Sequence, residues 1–201
     1  MLVTRNTKVI DAVTYPYANT VGFNMDDFDQ GSAQIVAVDV TPAVKTFTDT
    51  DVVVLANTVT IADHLFMTGL KVDTTTGGAA PGGLTVGAYF IIRIDKDTIK
   101  FATTLAYALA GTPVDITTAG GVGDVQTITP TAMGTCAVDL YASNDGVNYV
   151  TLGVGTGNFT AGTVKLLPIL DKFYKYLQFV MTIGAGAVKI TATLYGKQYK
   201  N

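Results

Sequence analysis

The chain has 201 residues, a formal net charge of −3 and a pI near 4.9, so it lacks the basic surface with which proteins bind nucleic-acid phosphates. All 16 acidic residues are Asp, Trp is absent, and Thr (32) with Val (24) supplies 56 residues. Side chains branched at Cβ favour strands. The composition therefore predicts an all-β chain and excludes mostly helical classes, and the length allows two small domains.

The first half of the chain shows short strand patterns. Residues 7–13 and 34–40 alternate at period two, and residues 47–61 contain two further strands around an Asn57 turn. Residues 88–103 predict a hairpin about the turn Asp95-Lys96-Asp97. Residues 103–110 predict one helical turn, ended by Gly111 and Pro113. The Gly-rich segments 77–83 and 119–124 are predicted to be flexible loops.

The second half predicts closely spaced antiparallel strands. Residues 136–154 read as a hairpin turning at Asp145-Gly146, and residues 164–170 as a strand that Pro168 places near an edge or end. Residues 176–183 and 188–194 each carry apolar side chains on one face. Together with the N-terminal strands they predict an antiparallel β-sandwich of jelly-roll or Ig-like type. We expect this sandwich to comprise residues 1–45 and 131–201, with 46–130 as an inserted small β-barrel-like domain.

The inserted stretch carries four motifs: H-x-F-x-T-G (His64 to Gly69), P-x-G-L (Pro81 to Leu84), D-x-D-T-I-K-F (Asp95 to Phe101) and A-L-A-G-T-P-V-D-I (Ala108 to Ile116). Over about 70 residues this stretch resembles a β-module of tailed-bacteriophage structural proteins, sometimes named after the first catalytic cysteine half-domain of ubiquitin-activating enzymes. In such proteins the module is a spacer or surface ornament. Residues 143–149 and 194–197 are similar to sandwich domains of phage virion proteins.

No catalytic, cofactor or metal site is predicted. His64 has no Cys or Glu near it in sequence, which favours a structural hydrogen bond over metal binding. Neither Ser32 nor Ser143 lies in the elbow motif of a hydrolase. Asp26, Asp27 and Asp29 lack calcium-loop spacing and predict a solvated loop.

Other polar and reactive residues are expected to have structural roles. Asn144, Asp145 and Asn148 are ordinary turn residues, and Cys136 is expected on a buried strand. Residues 1–20 contain no sustained apolar run, so neither a signal peptide nor a membrane partner is expected.

Two aromatic segments are candidates for a protein interface, with packing within the domain as the alternative. The candidate residues are Tyr15, Tyr17, Phe173, Tyr174 and Tyr176. The N-terminal arm, residues 1–20, is also a candidate for strand addition to a neighbouring subunit.

The resemblance implies a non-enzymatic structural component of a phage particle, made in the host cytoplasm and located in the virion. A capsid decoration protein in many copies is favoured, with the major capsid protein and further copies of itself as partners. The alternatives are a neck, tail or fibre-attachment protein, with tail or neck proteins as partners, and an adhesion module that binds host glycans.

Overall fold

The computed structural model describes residues 2–15, 19–24, 30–132, 134, 136–152, 158–159, 164–169, 174–184 and 186–199. In chain order the strands are β1 (Leu2–Tyr15), β2 (Asn19–Asn24), β3 (Gln30–Asp39), β4 (Lys45–Phe47), β5 (Val52–Val53), β6 (Thr58–Thr60), β7 (Lys71–Thr76), β8 (Gly87–Arg93), β9 (Thr98–Ala102), β10 (Gln126–Pro130), β11 (Cys136–Ser143), β12 (Val150–Thr151), β13 (Asn158–Phe159), β14 (Val164–Ile169), β15 (Tyr176–Ile183) and β16 (Val188–Tyr199). The helix α1 spans Leu105–Ala110, and two short 3-10 turns span Asp49–Asp51 and Val54–Ala56. Among the described residues the chain is nearly all β, as its composition predicts.

The chain divides into two compact units. One unit comprises Met1–Val40 and Met133–Asn201, and the other comprises Thr41–Ala132. The inner unit is longer than the predicted range 46–130, because it also includes residues 41–45 and 131–132. At one end β4 begins at Lys45, and at the other the Thr131 amide donates to the Lys71 carbonyl. Independent folding of the two units stays a prediction.

The outer unit is an antiparallel sandwich of two sheets, which confirms the predicted fold class. One sheet has the order β1-β16-β3-β14, and the other has β12-β11-β15-β2 with β13 also paired to β11. Its core joins apolar side chains of both sheets, among them Ile35, Leu140, Phe179 and Ile190. Alternate residues of β11 and β15 are buried, because side chains at period two share one face of a strand.

The N-terminal arm forms part of this sandwich. Residues 2–15 pair with Tyr199–Val188 of β16, with register shifts between Lys8 and Ile10 and between Ile10 and Val13. Such bulges twist an edge strand and disfavour pairing with another chain. The N-terminal arm therefore pairs with β16 of the same chain on one side, and its strand addition to a neighbouring subunit stays a prediction.

The inner unit is one seven-stranded antiparallel sheet with the order β4-β10-β7-β8-β9-β6-β5. Phe47 of β4 and Phe101 of β9 lie four strands apart in this order, which is about 19 Å across a flat sheet at ~4.8 Å per strand. Their ring centroids are nevertheless 6.3 Å apart. The sheet is therefore strongly curled around a core that contains both rings.

One helix covers part of the outer face of this sheet. Thr104 caps α1 by accepting a hydrogen bond from the Tyr107 amide, and Gly111 ends the helix at φ 72°. Ala108 of α1 packs with Ile92 and Ala102, which face away from the sheet's aromatic core. The helical turn predicted at residues 103–110 is thus a six-residue helix at Leu105–Ala110.

We expect the inner unit to be removable. Thr46 of β4 pairs with Thr127 of β10, so the chain enters and leaves the unit on neighbouring strands. Replacing residues 42–131 with a short Gly/Ser linker should leave a folded sandwich, because both sheets of the outer unit are built without any strand of the inner one. Far-ultraviolet circular dichroism and a cooperative thermal transition are the measurements, with residues 41–132 expressed alone as the matched comparison. A soluble deletion variant without a cooperative transition would contradict the split-domain organisation.

Candidate functional site

The histidine of the H-x-F-x-T-G motif is a structural residue of the inner unit. His64 is fully buried, and its Nδ1 accepts a hydrogen bond from the Phe66 amide at 2.8 Å. The ring proton therefore resides on Nε2, which donates to the Asp95 carbonyl at 3.1 Å. Burial lowers the pKa of His64 below its ordinary value, and the positive charge of Arg93 lowers this pKa further. The neutral ring fixes the position of the following loop relative to the β8–β9 hairpin.

Residues within and next to the histidine motif (His64 to Gly69) and the hairpin motif (Asp95 to Phe101) extend this network. Thr68 Oγ1 accepts from the Arg93 amide at 3.0 Å, and Asp97 Oδ1 accepts from the Asp63 amide at 2.9 Å. Hydrogen bonding to the Asp63 amide and to Lys96 lowers the pKa of Asp97. The histidine motif and the hairpin motif are therefore hydrogen-bonded to each other, and these polar groups stabilise the fold of the inner unit.

The other two motifs also meet each other. The Leu84 amide donates to the Pro81 carbonyl at 2.9 Å, which closes a turn with Gly83 at φ +90°. A Cβ on Gly83 would overlap the carbonyl oxygen of Asp115. This contact brings the P-x-G-L turn against the end of the A-L-A-G-T-P-V-D-I segment.

The two Gly-rich segments are loops, as predicted, and hydrogen bonds join them to each other. The Gly121 amide donates to the Ala79 carbonyl at 3.1 Å, and the Ala79 amide donates to Asp124 Oδ2 at 2.7 Å. Gly82 and Thr118 form a β-bridge beside these bonds. Sequence reasoning missed the pairing because the two segments are about 40 residues apart and each alone has loop composition.

Ser143, at the end of β11, begins a turn that is held by several hydrogen bonds. Ser143 is buried, and its Oγ accepts from the amides of Asp145 (3.2 Å) and Gly146 (3.0 Å) while donating to Asp145 Oδ1 at 2.7 Å. Asp145 Oδ1 also accepts from the amides of Val147 and Asn148, both at 2.8 Å. The side chain of Asn148 donates to Asp145 Oδ2 at 2.7 Å.

These donors hold the Asp145 carboxylate ionised. Hydrogen bonds from the backbone and side chain of Asn148, followed by those from Val147 and Ser143, lower the pKa of Asp145 far below its ordinary value. The turn is thus preorganised, and it carries a fixed negative charge at an exposed position.

Two of the predicted interface residues lie beside this turn. Ser143 pairs with Tyr176 across β11 and β15, and a Cβ on Gly146 (φ +74°) would lie 3.4 Å from the Tyr176 ring. Tyr174 helps to line an open depression of about 280 Å³ over the turn. The described residues around this depression are Ala142, Ser143, Asn144, Asp145, Asn148, Val150 and Tyr174.

The other candidate interface residues are not brought to this place by the described structure. Tyr15 ends β1, where it pairs with Val188 of β16. Tyr17 and Phe173 lie outside the described residues, as do Asp26, Asp27 and Asp29 of the acidic segment.

The other serine and the cysteine lie on strands of the outer unit. Ser32 lies on β3 between Pro168 of β14 and Tyr195 of β16. Cys136 is buried in the sandwich core, and burial raises the pKa of its thiol. Within the described ranges, no group of three or more His, Cys or Asp residues is placed to hold a metal ion. No helix of the described part has the length and hydropathy of a transmembrane span.

The comparisons with known proteins give little. No family model matches the chain, and no curated protein is found to be related to it. Among solved structures, the chain is similar to VP17, a capsid protein of bacteriophage P23-77, with a TM-score of 0.23 and 10% identity over 99% of this chain and 96% of that one.

The VP16–VP17 complex of the two major capsid proteins of the same phage gives a TM-score of 0.20 and 7% identity, over 96% of this chain and 97% of that one. These TM-scores are too low for either similarity to carry an argument. The predicted resemblance of the inner unit to a phage module is not supported by these comparisons and stays an expectation from the motif residues.

Proposed function

We propose that the chain is a non-enzymatic structural component of a tailed-bacteriophage particle, most favourably a decoration protein on the capsid surface. The observation that supports this proposal is the set of contacts that the motif residues make in the inner unit. His64 and Thr68 hold the β8–β9 hairpin, and Gly83 fits against Asp115. The pattern that resembles a phage module thus falls on the residues that determine how the inner unit folds, as a genuine structural likeness requires.

Large apolar side chains at the turns of the inner unit suit a protein that acts through contacts. Leu55 lies on a 3-10 turn and is fully exposed, and Val122 lies exposed between Gly121 and Gly123. Leu65 is exposed at φ 58°, a backbone conformation that is costly for a Leu. Such side chains can pack against other virion proteins, the major capsid protein in the decoration arrangement or tail and neck proteins in the alternative.

The proposal predicts that the chain copurifies with intact particles. Particles of the encoding phage, separated on a density gradient and analysed by quantitative mass spectrometry, should contain this protein at a fixed ratio to the major capsid protein. A ratio of the order of one per capsid subunit or capsomer supports decoration, because virion proteins repeat under the symmetry of the shell. A few copies per particle supports the neck or tail alternative.

Cryo-electron microscopy of the same fraction would place the copies on the head or on the tail. Protein present in the lysate but absent from intact particles would overturn the virion proposal.

A further inference from the structure

We propose that the depression above the Ser143–Asn148 turn binds a neutral pyranose sugar, with Tyr174 as the stacking residue. The site belongs to the outer unit alone and does not rest on the location of the protein in a particle. The proposal is based on the size of the depression, the chemistry of the groups around it, and the hydrogen bonds within the turn.

The size fits a small ligand. Pockets for drug-sized ligands have volumes from about 300 Å³ upward. The open depression of about 280 Å³ therefore suits one sugar ring, with the adjoining sugars of a glycan in solvent. Tyr174 is half-buried against the sandwich core, which holds its ring in place while part of it remains accessible. A Tyr ring supplies a rigid apolar face with a polar edge, the combination that the C–H face and hydroxyl rim of a pyranose require.

The polar groups around the ring match vicinal hydroxyls. Asn144 and Asn148 are both exposed at the depression, and each amide offers donor and acceptor atoms. Asp145 Oδ2 accepts one hydrogen bond from Asn148 among the described residues, so it retains acceptor capacity for a sugar hydroxyl. The hydrogen bonds of the turn fix these groups before a ligand arrives, which reduces the entropy cost of binding.

The charge of the site selects against acidic sugars. Asp145 is the ionised group among the described residues that line the depression, and no Lys or Arg is among them. Its lowered pKa keeps this carboxylate charged through the physiological range. A uronic acid would meet this negative charge, with no Lys or Arg among the described residues that line the depression.

The test uses the full chain and saturation-transfer difference NMR with methyl glycosides of glucose, galactose, mannose and N-acetylglucosamine, each compared with glucuronic acid. At least one neutral glycoside should give a signal, and its affinity should fall about fivefold or more in Tyr174→Ala, since ring stacking contributes about 1 kcal/mol or more. Tyr174→Phe should retain most of the affinity, and Asn144→Ala should weaken binding without touching the core.

Tyr195→Ala is the matched control, because Tyr195 is an exposed tyrosine on the other sheet. Circular dichroism should show that every variant is folded. Absence of a signal from all neutral glycosides at about 10 mM, a range of very weak binding, would overturn the proposal. Equal binding by Tyr174→Ala and the parent chain, or equal binding of glucuronic acid, would also overturn it. None of these outcomes bears on copurification with particles, which tests the virion proposal separately.

Discussion

Gly83→Ala should destabilise the inner unit by about 3 kcal/mol or more, which combines the cost of a non-glycine residue at positive φ with that of overpacking. Gly83 adopts φ +90°, and a Cβ there would overlap the Asp115 carbonyl oxygen. Both obstacles are backbone features, so no side-chain rotation can relieve them. For a unit of this size, the thermal midpoint should fall by roughly 12 °C or more. Thermal unfolding of residues 41–132, or of the full chain, measures this shift.

Gly123→Ala is the matched control for Gly83→Ala. Gly123 has a similar φ of +76°, but a Cβ there would meet nothing within 4 Å. Gly123→Ala should lose only about 1 kcal/mol of stability, which is the cost of the backbone strain at positive φ. Equal losses in the two variants would show that the turn does not lie against Asp115 as described.

His64→Ala should cost the inner unit about 3 kcal/mol. The substitution leaves the Phe66 amide without its partner and opens a cavity where a fully buried ring lay, while the Asp95 carbonyl keeps the hydrogen bond from Arg93 Nε. Unsatisfied buried polar groups cost about 1–3 kcal/mol each, and lost packing adds to this. His64→Asn is the conservative variant, because its side-chain oxygen can accept from the Phe66 amide. It should recover part of the loss in urea-induced unfolding.

The same residue should make the stability of the parent chain depend on pH. The pKa of His64 is lowered in the folded state by burial, against an ordinary value near 6.5. Between the folded and unfolded pKa values the unfolded chain binds more protons, so the contribution is complete above about pH 6.5 and is lost as the pH falls below it. The slope should approach, but not exceed, about 1.4 kcal/mol per pH unit.

His64 is the single histidine of the chain, which makes this pH dependence easy to assign. His64→Asn should show a flat stability between about pH 6.5 and pH 5, where the carboxylates remain ionised. A sloping profile in the variant, equal to that of the parent chain, would mean that another group titrates in this range.

Local sequence patterns predicted the elements that depend on near neighbours. The predicted strand at residues 176–183 is β15 with the same bounds, and Leu177, Phe179 and Met181 are buried as expected. Pro168 lies on β14, which stands at the end of the strand order of its sheet among the described residues, as a proline in a strand predicts. In each case the side chain and its immediate neighbours suffice to fix the local backbone.

Only part of the candidate site could be predicted from the sequence. The Asp145-Gly146 turn and the aromatic residues Tyr174 and Tyr176 were each visible as separate features. Their association follows from the pairing of Ser143 with Tyr176. An alternating pattern tells which face of a strand is buried, but it does not tell which strand is the neighbour or in what register.

The sequence by itself determined an all-β chain, with strands alternating at period two and turns at Gly, Asn and Asp, because these preferences arise from Cβ branching and backbone sterics. The tertiary structure alone decided that β1 pairs with β16, that His64 bonds to the β8–β9 hairpin, and that the two Gly-rich segments lie together. These are contacts between residues distant in sequence, and they form only when burial of a shared core and satisfaction of backbone hydrogen bonds select one register among many.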